Sequence, residues 1–173
     1  MFIKKFYNIR EMLVKRFSTA NRWVSYIGVS YGARCKFNKG ITFGSEPYLT
    51  SIGDDFYCAA GVKFITHDGS VNVLRNIYDE LTNADIFGRI VIGNNVFIGA
   101  DVIVLAGSVV GDNVIVGAGS VVKGVLDSNY VYAGTPAKKI CTIKEYKEKN
   151  QNKIYQTKKL NKKEKRIFLS EKL

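Results

Sequence analysis

The only histidine of this 173-residue chain stands at the start of an irregular segment. The residue is His67, and Asp68 and Gly69 follow it directly. An imidazole titrates near neutral pH, so it can take a proton from an attacking group and pass it on within one reaction. A nearby carboxylate can fix the imidazole tautomer, and glycine allows a sharp backbone turn. The sequence therefore makes His67 a candidate general base, with Asp68 beside it.

The segment that follows His67 interrupts a regular apolar spacing found on either side of it. From Thr66 to Asp85 the residues leave that spacing. A long irregular segment in a compact protein usually carries binding or catalytic groups. We therefore expect an extended loop at about residues 66–85, with the chemistry where the loop opens.

Outside this segment, apolar anchor residues recur in runs at intervals of six. The anchors are Tyr31, Phe37, Phe43, Ile52, Cys58, Phe64, Ile86, Ile92, Ile98, Val104, Val110, Val116 and Val122. A second small or branched residue follows four positions after the later anchors, at Val96, Val102, Ser108, Val114 and Ser120. Neither a helix nor a long strand has this period, whereas short strands that turn a corner every six residues do. The pattern predicts an all-β solenoid whose coils bury one another's inward residues.

Four longer motifs make a family likeness specific. They are Ser45-Glu46-Pro47-Tyr48-Leu49, Phe64-Ile65-Thr66-His67-Asp68-Gly69-Ser70, Ile92-Gly93-Asn94-Asn95-Val96-Phe97-Ile98-Gly99 and Tyr132-Ala133-Gly134-Thr135-Pro136-Ala137-Lys138. With the hexads, they resemble the hexapeptide-repeat acyltransferases over about residues 27–141. The branch they resemble holds O-acetyltransferases of bacterial capsule and lipopolysaccharide synthesis, and is related to the maltose, galactoside and xenobiotic acetyltransferases. The resemblance implies a left-handed parallel β-helix and a homotrimer with active sites between subunits.

The resemblance also implies a reaction. Acetyl would pass from acetyl-CoA to a sugar hydroxyl in surface polysaccharide synthesis, with His67 as general base and no metal. N-acetylation of a nucleotide-linked amino sugar stays open, because an amine must lose a proton just as a hydroxyl does. A non-catalytic scaffold on the same fold is a further alternative. A zinc enzyme would need about three histidine ligands, which this chain lacks.

Residue by residue, the likeness assigns a cofactor groove. Phe97 stands where relatives have a tryptophan that walls the site, and Lys123 stands where many carry threonine. Lys138 matches a residue that meets the nucleotide phosphates. Where relatives often have a second basic residue this chain has Cys141, and either Lys139 or Lys144 is expected to take its place. The full set expected to bind the cofactor is Phe97, Gly99, Ala100, Ala118, Ser120, Lys123, Lys138 and Lys139.

The acceptor is expected to enter near Glu46, Tyr48 and Asp68. Glu46 and Tyr48 lie where nine residues, rather than six, separate Phe43 from Ile52. A carboxylate beside an aromatic ring suits the hydroxyls and the apolar face of a sugar. The same interruption can equally be a structural corner, and the sequence leaves both interpretations open.

Charge divides the chain into three parts. Residues 1–24 carry six Lys or Arg and one acid, and residues 138–173 carry thirteen and four, within a net charge of +11. We expect an N-terminal amphipathic helix over 1–24 that caps the solenoid or lies on an anionic membrane surface. The β-helix domain then covers 25–141, and a basic helical tail covers 142–173.

Motifs that the sequence lacks limit the partners and the cellular location that we expect. The chain shows none of the usual nucleic-acid-reading motifs, so the basic ends are not interpreted as a nucleic-acid site. Neither a signal peptide nor a membrane-spanning stretch is evident, and the three cysteines lack metal-ligand spacing. The sequence therefore predicts a cytoplasmic enzyme, with peripheral contact at the inner face of the membrane as a variant of that location.

Overall fold

The computed structural model describes residues 20–173, which begin with a short helix. Helix α1 (Ala20–Tyr26) buries Trp23 and Val24, and the Trp23 ring lies 6.2 Å from the ring of Phe43. The predicted amphipathic helix has its apolar stripe at Phe2, Phe6, Ile9, Leu13 and Phe17, which lie outside the described residues. Its role as a cap or a membrane segment stays a prediction.

Five coils of short strands follow. The first two contain β1 (Ser30–Tyr31), β2 (Thr42–Phe43), β3 (Thr50–Ile52), β4 (Tyr57–Cys58) and β5 (Lys63–Phe64). The next two contain β6 (Ile90–Ile92), β7 (Phe97–Ile98), β8 (Ile103–Val104), β9 (Val109–Val110), β10 (Ile115–Val116) and β11 (Val121–Val122). The last contains β12 (Val125–Leu126) and β13 (Tyr130–Ala133), after which the chain turns back as β14 (Lys138–Thr142).

Strands of successive coils stack into three sheets, which we name faces A, B and C. Face A is β1-β3-β6-β9-β12, face B is β4-β7-β10-β13-β14, and face C is β2-β5-β8-β11. All strand pairs are parallel except β13 with β14. The chain passes from A to B to C and back to A, so three corners (A–B, B–C and C–A) run along the stack. This architecture confirms the predicted solenoid.

The core is built from the six-residue anchors, which lie over one another in register. The aligned anchors are Ile52, Ile92 and Val110 on face A, Cys58, Ile98 and Val116 on face B, and Phe64, Val104 and Val122 on face C; Leu126, outside the six-residue spacing, continues face A beyond Val110. All of them are buried. Each such side chain contributes on the order of 1.5–3 kcal/mol when it leaves water, so the stacked anchors hold the coils together.

One predicted anchor was wrong. Ile86 lies six positions before Ile92, yet its side chain is 38% exposed and belongs to the irregular segment. The third coil begins only at Ile90, the first residue of β6. The spacing from Ile86 to Ile92 therefore reflects no strand, because the chain has not yet rejoined the stack at Ile86.

The A–B corner depends on residues that tolerate a left-handed backbone. Asp55, Asn95, Asn113 and Asn129 stack there with φ between 53° and 69°. Asn and Asp adopt this conformation more readily than other residues with a side chain. Their amides also join the coils, because Asn95 donates to Asn113 at 2.8 Å and Asn113 donates to Asn129 at 2.9 Å.

The C-terminal residues 144–173 form a separate compact unit. The predicted helical tail over 142–173 contains two α-helices, α3 (Ile143–Asn150) and α4 (Lys162–Lys172). Helix α4 begins at a capping box, in which Asn161 accepts from the backbone N–H of Glu164 and the Glu164 side chain accepts from that of Asn161. Among residues 20–173, we find no helix long and apolar enough to cross a bilayer.

Candidate active site

The irregular segment leaves the stack after β5 and returns at β6, at the C–A corner. It contains helix α2 (Val71–Arg75) and a 3₁₀ turn at Asp79–Leu81. Its two ends are joined by an antiparallel bridge between His67 and Phe87. The loop expected at about 66–85 is thus present, with His67 where it opens.

The imidazole of His67 is held from two sides. Its ring centroid lies 4.9 Å from that of Phe87. Its Nε2 atom is shielded from solvent and lies 3.7 Å from Oδ1 of Asp85, with no hydrogen-bond partner among residues 20–173. The side chain as a whole is 33% exposed. The Nε2 end of the ring is therefore buried beside Asp85, while another part of the side chain faces outward.

Sequence reasoning missed two residues of this arrangement. Arg75 donates from Nε to the carbonyl of Ala84 at 2.7 Å, and its Nη2 pairs with Oδ1 of Asp85. No period or motif marked either residue, since Arg75 and Asp85 lie ten positions apart in the irregular segment. The only sequence signal was Asp85's place at the end of that segment.

Asp68 has different surroundings from Asp85. Its carboxylate accepts from the backbone N–H of Ser70 at 2.9 Å, and this hydrogen bond is the main reason that its pKa lies below the ordinary value. Electrostatic interactions of Asp68 with His67 and with Lys123 also lower this pKa, to a smaller extent. Asp68 is exposed and stays available to an acceptor, whereas Asp85 is the carboxylate close to the ring.

Of the other two acceptor candidates, one lies close to His67. Oε2 of Glu46 accepts from Ser45 at 2.8 Å and from Oγ1 of Thr66, the residue before His67, at 3.4 Å. Tyr48 lies on the 3₁₀ turn Pro47–Leu49 and is 65% exposed. The structure thus brings Glu46 toward the candidate base, and gives Tyr48 no contact with that group.

The cofactor candidates cluster on a different part of the coil. Phe97 lies on face B in a groove of about 320 Å³, with its ring 5.4 Å from that of Tyr57. Gly99, Ala100 and Ala118 form the adjacent B–C corner. A side chain at Gly99 would come within 2.5 Å of the backbone nitrogen of Ala118, so the corner has no room for one. The groove beside Phe97 opens instead on the side of the A–B corner, where Asp55, Asn95 and Asn113 line it, and none of these three small residues lines it.

The backbone N–H groups at the B–C corner differ in whether they already donate to a carbonyl of the coil. The N–H of Gly99 donates to the carbonyl of Val116 at 2.8 Å and is used in stacking the coils. Within residues 20–173, the N–H groups of Ala100 and Ala118 donate to no backbone carbonyl. In this part of the chain these two N–H groups are therefore left without a backbone acceptor, whereas that of Gly99 already has one.

Three other cofactor candidates are engaged elsewhere or lie apart. Ser120 is fully buried, and its hydroxyl donates to Gly117 at 2.7 Å and accepts from Gly134 at 3.1 Å, which stabilises the corner itself. Lys139 pairs with Asp127 at 2.7 Å. Lys123 lies at the C–A corner, near Asp68, and not at the B–C corner with Ala118.

Lys138 is exposed on β14, beside face B. Of the three candidate lysines, Lys123, Lys138 and Lys139, it is therefore the one best placed to meet a phosphate. As for metals, no group of three or more His, Cys, Asp or Glu in residues 20–173 is arranged to hold an ion.

The candidate residues of one chain thus fall into two sets. Set one, at the C–A corner, comprises Glu46, His67, Asp68, Asp85 and Lys123. Set two, on face B and the B–C corner, comprises Phe97, Gly99, Ala100, Ala118 and Lys138. Face C lies between the two corners, so within one chain the candidate base and the candidate residues of the B–C corner lie on either side of that face.

Comparison with known proteins gives the class. The family model "Bacterial transferase hexapeptide (six repeats)" matches residues 89–124. Protein CapG of Staphylococcus aureus is 49% identical over 145 residues, covering 83% of each protein. The chain therefore belongs to the hexapeptide-repeat acyltransferases, as its motifs predict, and its stack is the left-handed β-helix of that family.

Solved structures share this fold. A maltose O-acetyltransferase from Clostridium difficile 630 matches with a TM-score of 0.56 and 21% identity, over 79% of this chain and 84% of that one. A hexapeptide-repeat acetyltransferase from Vibrio cholerae O1 biovar eltor, complexed with acetyl-CoA, matches with a TM-score of 0.56 and 22% identity, over 77% and 83%. At these identities the likeness establishes the fold alone.

Proposed function

We propose that this protein transfers acetyl from acetyl-CoA to a sugar hydroxyl in the synthesis of a surface polysaccharide, with His67 as general base. The observation that carries the proposal is the setting of the only histidine. It stands at the start of the irregular segment between β5 and β6, which we call the excursion, and it is packed on Phe87 and faces Asp85. The likeness to CapG and the quoted motifs support the polysaccharide setting.

The reaction follows from the chemistry of the groups. His67 takes the proton of the acceptor hydroxyl while the oxygen attacks the thioester carbonyl, because a neutral hydroxyl is a poor nucleophile. A tetrahedral intermediate forms, and its oxyanion needs an N–H donor. The carbon–sulfur bond then breaks, and the imidazolium returns its proton to the departing thiolate. The products are the acetylated sugar and CoA, with no covalent enzyme intermediate.

The separation of the two residue sets supports a homotrimer. In it, the C–A corner of one subunit, with His67, meets the B–C corner of its neighbour, with Ala100 and Ala118. The thioester carbonyl lies against the N–H groups of that neighbouring corner, and the acceptor approaches from the side of Glu46 and Asp68. Closed threefold symmetry then repeats the same site three times.

The excursion has the surface that such a contact needs. Val73 and Ile77 are 59% and 63% exposed, and Leu74, Tyr78 and Phe87 also present apolar area to solvent. Burying this area against a neighbouring subunit gains free energy at roughly 25 cal/mol per Å² of apolar surface. The excursion thus supplies both the base and an apolar contact for assembly.

A substrate screen tests the activity. The purified protein is incubated with acetyl-CoA and a panel of sugars, nucleotide sugars and amino sugars, and free CoA thiol is measured. His67→Ala should lower turnover by about two to four orders of magnitude while leaving melting temperature and CoA affinity unchanged. Asn83→Ala, an exposed change within the same excursion, is the matched control and should behave as wild type.

The product distinguishes the rival functions. Mild alkali removes an O-acetyl ester and leaves an N-acetyl amide intact, so an alkali-stable product would establish N-acetylation of an amino sugar instead. Near-normal turnover of His67→Ala would contradict the mechanism. If the protein binds acetyl-CoA but releases no CoA thiol with any acceptor of the panel, the result favours the scaffold alternative.

A further inference from the structure

The two ring nitrogens of His67 are in different environments. Nε2 is out of contact with solvent and faces Oδ1 of Asp85 at 3.7 Å. Nδ1 makes no hydrogen bond within residues 20–173, and a third of the side chain is exposed. The nitrogen that can reach a substrate is therefore Nδ1, provided that Nε2 carries the proton and Asp85 accepts it.

Asp85 does not hold its position alone. Arg75, the last residue of helix α2, donates both to the carboxylate of Asp85 and, at 2.7 Å, to the carbonyl of Ala84. Its side chain is only 29% exposed. The guanidinium thus links helix α2, in the first half of the excursion, to two consecutive residues near its end, directly beside the candidate base.

We propose that Arg75 is a positioning residue, which holds the Asp85 carboxylate where it accepts the Nε2 proton of His67 and leaves Nδ1 to take the acceptor's proton. The inference rests on the proposed function for its chemistry. A gap of 3.7 Å is longer than a hydrogen bond, and such contacts commonly tighten when substrate binds.

The chemistry favours arginine at this position. A planar guanidinium has several donors in a fixed geometry, so it can bind a carboxylate and a carbonyl together, whereas an ammonium is a point charge without that geometry. Arg75 also neutralises Asp85 in the resting site. When His67 becomes an imidazolium, the same carboxylate stabilises the new charge. Asp68 also interacts electrostatically with His67, and Lys123 interacts with Asp68.

The chain offers a matched control for the variant. Arg34 donates to both carboxylate oxygens of Asp55 at 2.6 Å, at the A–B corner and away from His67. It is the same type of pair without a histidine. Arg34→Ala should therefore leave turnover unchanged. Comparison with Arg75→Ala then shows whether losing any arginine–aspartate pair lowers turnover, or only losing the pair beside His67.

Steady-state kinetics test whether Arg75 acts on His67 through Asp85. Asp85→Asn should lower kcat about ten- to a hundredfold, and Arg75→Ala about tenfold, with the KM for acetyl-CoA unchanged in both, because only part of the contribution of the base is lost. Arg75→Lys should recover part of the loss. The kcat of the double variant should lie only slightly below that of Asp85→Asn alone, since both changes disrupt the same interaction of Asp85 with His67. Wild-type kcat in Arg75→Ala, or full additivity in the double variant, would overturn the proposal.

Nitrogen NMR gives a second readout that needs no acceptor. Because the chain contains one histidine, a long-range proton–nitrogen spectrum reports His67 without assignment. We expect the neutral ring to carry its proton on Nε2, and the Nε2 proton to exchange with water faster in Arg75→Ala than in wild type or Arg34→Ala. A proton on Nδ1, or unchanged exchange in Arg75→Ala, would overturn the positioning role. Full activity of His67→Ala would instead remove the proposed function, whatever the spectrum shows.

Discussion

The ring of Phe87 lies against the imidazole of His67, with centroids 4.9 Å apart and planes inclined by 37°. The same two residues form the backbone bridge that closes the excursion. Side chain and main chain therefore fix the histidine together, at the point where the irregular segment returns to the β-helix. Phe87 is 48% exposed, so its ring covers the imidazole without enclosing it.

Phe87→Ala should lower kcat by up to about tenfold with little change in melting temperature. The substitution keeps the backbone bridge and removes a ring contact of about 0.5–1.5 kcal/mol, which is the free energy available to hold the imidazole in orientation. Phe87→Tyr keeps the ring and should retain most of the activity. Steady-state kinetics with thermal unfolding of both variants checks this, and wild-type kcat in Phe87→Ala would contradict it.

The repetitive part of the molecule was predictable because its period is geometric. A strand and a corner together take six residues, so Ile92, Ile98 and Val104 must point inward and recur at that spacing. The small residues four positions later, such as Ser108 and Ser120, are buried for the same reason. Ile86 shows the limit of the argument, since spacing indicates burial only where the chain is already part of the coil.

The site was predictable only in part, because it lies where the period stops. A unique histidine at the start of the excursion was visible in the sequence. The approach of Asp85 and Arg75 was not, since it depends on how the irregular segment folds back to the Phe87 bridge. Ser120 shows what a motif match leaves out: the likeness assigns it to the cofactor groove, and in the structure its buried hydroxyl donates to Gly117 and accepts from Gly134.

Mixed trimers should regain activity if each site uses two subunits. His67→Ala lacks the proposed base, and Ala118→Trp should fill the space beside the exposed B–C corner where the proposal places the thioester, so each should be inactive alone. After the two are unfolded together and refolded as an equal mixture, about a quarter of the subunit contacts should combine an intact base with an intact B–C corner. Measured turnover of the mixture should therefore approach a quarter of the wild-type value.

Two controls make this mixing experiment decisive. The separately refolded variants, combined only afterwards, should stay inactive because subunits have not exchanged. A co-refolded mixture of His67→Ala with Asp85→Asn should recover no activity above that of Asp85→Asn, since both defects lie in the same residue set. No recovery by His67→Ala with Ala118→Trp, in material that is trimeric by light scattering, would show that one chain supplies the complete site.

Lys138 and Lys139 should differ in their effect on the cofactor. Lys139 already pairs with Asp127 and lies 4.1 Å from the centre of the Tyr130 ring, and Asp127 raises the pKa of Lys139. Lys138→Gln should raise the KM for acetyl-CoA about threefold at low salt and less at high salt, because exposed charges are screened. Lys139→Gln should change KM less. Equal effects of the two, or a salt-independent effect of Lys138→Gln, would argue against a phosphate contact at Lys138.

Arg34 and Asp55 should stabilise the fold at neutral pH and not in acid. Hydrogen bonds from Arg34 are the main reason that the pKa of Asp55 lies below its usual 3.8. A carboxyl with a lowered folded-state pKa stabilises the protein above its unfolded pKa, and the contribution disappears as pH falls through the folded value. Arg34→Ala should therefore lower the free energy of unfolding by a small, constant amount between about pH 5 and pH 8. Below 3.8 the difference from wild type should shrink, and Asp55→Asn should reproduce this pattern. Urea unfolding at a series of pH values measures it, and a difference that persists at about pH 2 would mean that Arg34 acts through another contact.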